Sequence, residues 1–146
     1  MSSGPEKFVL DTNVLISAAL YPASTAAQAV TVAFAFGKVF RSHETFRELK
    51  TVLNRSKFDR YFADQVATRA KFLSLYEKYS TDVPITEIST DCIDPKDNMF
   101  LSLALSAGAD VVVSGDQKHL IPMHPYRGIA ILSVADFVQA VAQSRL

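Results

Sequence analysis

The chain lacks most of what marks a secreted, zinc-bound or membrane-embedded protein. Its single cysteine, Cys92, cannot close an internal disulfide. The three histidines, His43, His119 and His124, are scattered, and no Cys/His spacing suits zinc. No apolar run approaches the roughly 18 to 20 residues of a membrane span. Residues Met1 to Lys7 are polar, so no apolar signal core precedes Asp11, and a cytoplasmic protein is expected. Net charge is missing too, with 15 basic residues against 15 acidic ones. Any surface for nucleic acid must therefore be local, which counts against a tight, sequence-blind binder. It does not count against an enzyme that makes a few phosphate contacts through a metal. Repeats, low-complexity tracts and interdomain linkers are absent as well.

What remains is 146 residues, 49% hydrophobic and 21% charged, which excludes a largely disordered chain. That length suits one domain and buries a core without disulfides or structural metal. Phe8 to Leu10 reads as a short buried strand, followed by a helix over Thr12 to Leu20 with Thr12 or Asn13 as its N-cap. Ser24 or Thr25 starts a second helix, Ala26 to Phe36, ended by Gly37 before a strand at Val39-Phe40. Ser42 caps a third helix to about Asn54, striped by Phe46, Leu49, Val52 and Leu53. A fourth runs from Ala63 to Tyr79, with Val66, Ala70, Leu73, Leu75 and Tyr76 facing inward. Asp82 to Thr86 suits an edge strand, because Pro84 cannot donate to a ladder. A fifth helix spans Asp97 to Ala107 and stops at Gly108. Strands follow at Asp110 to Val113 and Ile129 to Leu132, and Ser133 caps a last helix from Val134 to about Gln143. Strands alternating with helices predict an α/β fold, a parallel sheet covered on both faces. Residues 1–6 read as a loose leader to a single domain over 7–146.

Acidic residues stand at the ends of these strands, where open α/β folds build their sites. Asp11 closes the first strand. Asp116 follows Val111-Val112-Val113 by way of Ser114-Gly115. Asp94 and Asp97 share the turn Asp94-Pro95-Lys96-Asp97-Asn98 at the mouth of the fifth helix. Carboxylates gathered so closely repel, and a hard divalent cation relieves that repulsion. Asp11 and Asp97 also have a plainer reading as helix caps. Asn13 is as able to cap as Asp11, which would leave Asp11 free. For Glu48 the helical pattern favours exposure to water. Ser114 is open between binding a ligand, orienting Asp116 and finishing its strand. His119 and His124 read as loop residues. Lys50, Arg55, Lys57 and Arg60, interleaved with Phe58 and Tyr61, suit a solvated helix end better than a path for a phosphate backbone.

The segment Phe8-Val9-Leu10-Asp11-Thr12-Asn13-Val14-Leu15-Ile16-Ser17 is similar to the opening motif of PIN-domain ribonucleases. Ser42-His43-Glu44-Thr45-Phe46-Arg47-Glu48-Leu49 resembles their second acidic segment, Asp94-Pro95-Lys96-Asp97-Asn98 with Phe100 to Ala104 their third, and Val113-Ser114-Gly115-Asp116 their fourth. The order and spacing match from about residue 7 to residue 138. The variant looks most like the PIN subfamily of toxins in prokaryotic type II toxin–antitoxin systems, the VapC-like ribonucleases. This resemblance implies a three-layer α/β/α sandwich with a central parallel sheet and a metal-dependent endoribonuclease site. It implies Asp11, Glu48, Asp97 and Asp116 as the acidic quartet, and so overrides the pattern reading of Glu48. Asp94 would assist through a water or by fixing the loop. Asn13 and Ser114 match polar positions that line such sites.

On that basis the expected reaction is hydrolysis of a phosphodiester in single-stranded or loop RNA with one or two Mg²⁺ or Mn²⁺ ions. Asp11 and Asp116 would hold the main ion, and Asp97 and Glu48 would bind through water or hold a second. An antitoxin protein whose C-terminal segment covers the cleft is the expected partner. Homodimerisation is a further expectation, from the apolar helix Ala26 to Phe36, with simple core packing as the alternative. The rivals are a silent PIN-fold binding module and a Mg²⁺-dependent phosphatase of the aspartyl-phosphate type. The phosphatase needs an acid two residues after Asp11, where Asn13 stands.

Overall fold

The computed structural model describes residues 5–62 and 66–144. Five strands form one all-parallel sheet: β1 (Lys7–Leu10), β2 (Lys38–Arg41), β3 (Thr81–Asp82), β4 (Val111–Val113) and β5 (Ala130–Leu132). Their spatial order is β3-β2-β1-β4-β5. The chain winds outward one way from β1 to β3, then returns to the other side of β1 with β4. The boundary between β1 and β4 is thus the switch point, where loops leave in opposite directions and open a crevice at the strands' carboxyl ends.

Among the described residues six α-helices connect and cover the strands: α1 (Thr12–Leu20), α2 (Thr25–Phe36), α3 (His43–Leu53), α4 (Val66–Tyr79), α5 (Asn98–Ala107) and α6 (Val134–Ser144). Alternation along each strand divides the core in two. Phe8, Leu10, Val39, Val111 and Val113 point to one face, with Leu15, Ala29, Leu49 and Phe137. Val9, Phe40, Val112 and Ile131 point to the other, with Phe100, Leu101 and Leu103 of α5. This is the expected α/β/α sandwich. Among the described residues no single helix is long and apolar enough to cross a membrane.

Local signals placed most elements. Ser24 accepts from the Ala27 N–H at the start of α2. Ser42 and Thr45 exchange capping bonds at α3. Gly108 ends α5 at φ 65°, the left-handed turn that glycine adopts without a Cβ clash. Gly37 has a different reason to be glycine, since a Cβ there would lie 2.3 Å from the Glu6 carbonyl oxygen. Glu6, at the end of the expected leader, also donates its N–H to Asp110 Oδ2 at 2.8 Å.

Several expectations need correction. The α1 cap is Asp11, not Thr12 or Asn13: its backbone is extended and its side chain turns back to the Val14 N–H. The edge strand is only Thr81–Asp82, since its partner β2 already ends at Arg41. A 3-10 turn, Pro95–Asp97, precedes α5, which therefore begins at Asn98. On α4, Ala70 and Leu75 are exposed, whereas Phe72, Leu73 and Tyr76 pack inward. Leu73 and Tyr76 do face inward as expected, with Tyr76 between Phe34 and Phe46. The expected start of that helix at Ala63 and the side chain of Val66 lie outside the described residues.

Candidate metal centre

The edge where β1 and β4 end brings the acids together. Asp11 is 3% exposed and uses both carboxylate oxygens. Oδ1 accepts the Val14 N–H at 2.9 Å. Oδ2 accepts the Ser114 hydroxyl at 2.6 Å and the Gly115 N–H at 3.2 Å. Burial pushes its pKa above the ordinary carboxylate value, and these hydrogen bonds pull against that. Asp11 therefore ties β1 to β4 across the switch point as well as capping α1.

Ser114, wholly buried, is the joint between the two strands. While its hydroxyl donates to Asp11, the same oxygen accepts the Asp116 N–H at 2.9 Å. Its own N–H completes the ladder to the Leu132 carbonyl at 2.9 Å. Of the three readings open for Ser114, orienting Asp116 and finishing the strand are both seen.

Asp116 is richly supplied with donors. Oδ1 accepts the N–H groups of Lys118 and His119 at 3.0 and 2.9 Å, and Oδ2 lies 3.2 Å from His119 Nδ1. Desolvation raises its pKa, but the contact with Asp97 and these donors outweigh it and leave Asp116 below the ordinary carboxylate value.

Asp97 is the opposite case. It occupies the cap position of α5 yet makes no capping hydrogen bond. Its Oδ2 is sealed from solvent and meets no hydrogen-bond partner among the described residues. Desolvation, the adjoining Asp116 carboxylate, and the charges of Asp94 and Asp11 push its pKa up to about 8. The two acids titrate as a pair. Asp116 has the N–H donors that favour a bare carboxylate, so of the two it is Asp97 whose affinity for a proton is raised. Asp94 accepts the Lys96 N–H at 3.1 Å and so fixes the turn carrying Asp97.

Glu48 is half-buried, not solvated as its helical pattern suggested. The Thr12 hydroxyl donates to its Oε2 at 2.5 Å and draws it over the end of β1. Thr12 was singled out only as a cap, so this contact had no signal in the sequence. Asn13 stands exposed in the first turn of α1. The basic and aromatic residues after α3 pair among themselves: Lys57 lies over Phe58, Arg60 over Tyr61, and the Tyr61 hydroxyl meets that of Tyr21 at 2.9 Å.

The residue that sequence reasoning missed is His119. Asp94, Asp97 and His119 each present a donor atom within 4.8 Å of the others. The available signal was the spacing Asp116 to His119, one helical turn, in a loop too irregular for pattern to decide. Carboxylate oxygens crowded by like charge, one of them buried without a partner, and an imidazole beside them fit a divalent cation as the missing counter-charge.

Comparison with known proteins agrees with this architecture. The PIN domain family matches residues 7–118, the stretch that holds all four acidic segments. Among solved structures, the crystal structure of VapBC2 from Rickettsia felis bound to a DNA fragment from their promoter aligns with a TM-score of 0.60. That alignment covers 87% of this chain and 98% of the other at 12% identity, a likeness of fold. No curated protein matches significantly. The match to the greater part of the sequence, on the fold and acidic edge described above, places the chain in the PIN-domain family.

Proposed function

We propose that this protein is a divalent-metal-dependent endoribonuclease that hydrolyses phosphodiester bonds in single-stranded or loop RNA. The observation that carries the reading is Asp97 Oδ2, buried without a hydrogen-bond partner among the described residues and beside the charges of Asp116, Asp94 and Asp11. Such an oxygen costs stability unless something positive meets it. The VapBC2 likeness supports a role as the toxin of a toxin–antitoxin pair with the antitoxin as partner, and the cytoplasm would be its site of action.

Asp11, Asp97, Asp116 and Glu48 would hold Mg²⁺ or Mn²⁺, with Asp94 beside them. When bound, the cation supplies a water of lowered pKa and charge to stabilise the phosphorane-like transition state. The chain's own residues supply the geometry. Asp116 stays ionised because backbone N–H groups hold it so. Asp97 would bind the cation as a carboxylate, since ligation by a carboxyl group requires its proton to be released. Glu48 is anchored through Oε2 by Thr12, so that Oε1 can accept a proton from the attacking water or orient it. Asp11 and Ser114 keep β1 and β4 in register, and exposed Asn13 would position a water or a phosphate oxygen.

Cleavage of a mixed-sequence single-stranded RNA by the purified protein, in Mn²⁺ or Mg²⁺ against EDTA, tests the reading. Asp97→Asn run in parallel should cut at least about 100-fold more slowly, beyond the 10- to 100-fold typical of an outer-shell partner. Equal cutting by both proteins would sink the assignment. No cutting in either metal by a folded protein would favour the silent binding module.

A further inference from the structure

We propose that His119 is a nitrogen ligand of this centre, and that together with Asp94 and Asp97 it makes the site prefer a later transition-metal dication, such as Co²⁺ or Zn²⁺, to Mg²⁺. The inference rests on the reading of this edge as a metal centre and adds the ligand that sets which metal it takes. Two separate observations carry it. The first is position: a donor atom of His119 lies within 4.8 Å of carboxylate oxygens from both Asp94 and Asp97, close enough for one ion to touch all three. The second is support. Asp116 Oδ2 lies 3.2 Å from His119 Nδ1, and Asp116 Oδ1 accepts the His119 N–H at 2.9 Å. A carboxylate against an imidazole is how a metal-binding ring is held in one orientation. The ring is 33% exposed, so it is neither a packed core residue nor a free surface one. Asp97 Oδ2 completes the picture as a sealed oxygen with no other partner among the described residues.

Ligand chemistry then decides selectivity. Mg²⁺ demands oxygen in near-ideal octahedral geometry and gives up its waters reluctantly. Imidazole instead suits the later first-row dications, whose affinity rises from Mn²⁺ through Co²⁺. A site of carboxylates alone would separate these ions less than one with a fixed nitrogen donor.

The test is metal binding by calorimetry, with Mg²⁺, Mn²⁺ and Co²⁺ each titrated alone into wild type and His119→Gln. Wild type should bind Co²⁺ most tightly and Mg²⁺ most weakly. The substitution should weaken Co²⁺ at least about tenfold and change Mg²⁺ by less than about twofold. Equal losses for both metals, or no loss for either, would overturn the proposal. Proton NMR of the Co²⁺-loaded wild type needs no variant: a strongly shifted, solvent-exchangeable imidazole N–H is expected, and its absence would also overturn it. Neither readout uses RNA. Co²⁺ binding that depends on His119 in a protein that cuts nothing would leave this inference standing and remove the nuclease. Metal-dependent cutting with unchanged Co²⁺ affinity in His119→Gln would do the reverse.

Discussion

Asp11 and Asp97 are the same residue in the same kind of place, each immediately before a helix at the carboxyl edge of the sheet, and the structure uses them in opposite ways. The β1–α1 corner around Asp11 is closed. Its two oxygens accept hydrogen bonds from Val14, Ser114 and Gly115, and the side chain is out of the solvent. The Asp94–Asn98 turn around Asp97 is unfinished, with no capping bond and one buried oxygen that has no hydrogen-bond partner among the described residues. A carboxylate whose bonds are all made holds the fold together. One whose bonds are not made holds stored repulsion, which a ligand can release.

The sharpest way to break this comparison is to remove each carboxylate in turn from the metal-free protein. Asp11→Ala should destabilise it by about 2 to 4 kcal/mol in urea unfolding, losing a cap and leaving a buried hydroxyl and N–H unpaired. Asp97→Asn should have the opposite sign, raising Tm by roughly 2 to 4 °C, the shift that about 1 kcal/mol brings to a domain of this size. If Asp97→Asn instead lowered Tm, the turn would be structural like the corner, and the contrast would collapse.

Ser114→Ala probes the link between the two regions. It should cost about 1 to 2 kcal/mol, because Asp11 Oδ2 loses its hydroxyl donor while keeping the Gly115 N–H. Metal affinity should fall about tenfold, as Asp116 loses the oxygen that fixes its backbone. A stability loss with unchanged metal affinity would confine Ser114 to the fold.

The last effect expected is in pH. Asp97 has a folded pKa raised to about 8 from an ordinary 3.8, so its contribution is fully present below pH 4 and lost as pH rises towards 8. Asp11, also raised, works in the same direction, whereas Asp116, lowered, contributes above about pH 4 and loses that only in stronger acid. Metal-free wild type should therefore lose stability relative to Asp97→Asn between pH 5 and pH 8 in thermal melts. Parallel curves would show that the affinity of Asp97 for a proton is not raised.

Wherever the cause is local, the sequence was legible. Ser24, Ser42 and Gly108 mark their helix ends because a hydroxyl or a missing Cβ acts on backbone only a few residues away. The acidic segments were legible because each follows a short apolar strand. Other features were less so. Asp11 and Asn13 are both good caps by residue type, and the choice fell to Asp11 because Ser114, 103 residues along, fixes its carboxylate. On α4 hydropathy placed Leu73 and Tyr76 inward correctly but added Ala70 and Leu75, which are exposed, while Tyr76 packs against Phe34 and Phe46.

Alone, the sequence determined the α/β class, the alternation of elements, and which carboxylates stand at strand ends, since apolar period, caps and turn residues act over one or two helical turns. Only the tertiary structure decided the rest. The order β3-β2-β1-β4-β5 sets β1 beside β4, and with them Asp11 beside Ser114 and Asp97 beside Asp116. It also drew Glu48 to Thr12 and His119 to Asp94 and Asp97. Charge and desolvation act through space over a few ångströms, so which acids become bonded and which stay unsatisfied depends on neighbours that lie far away along the chain.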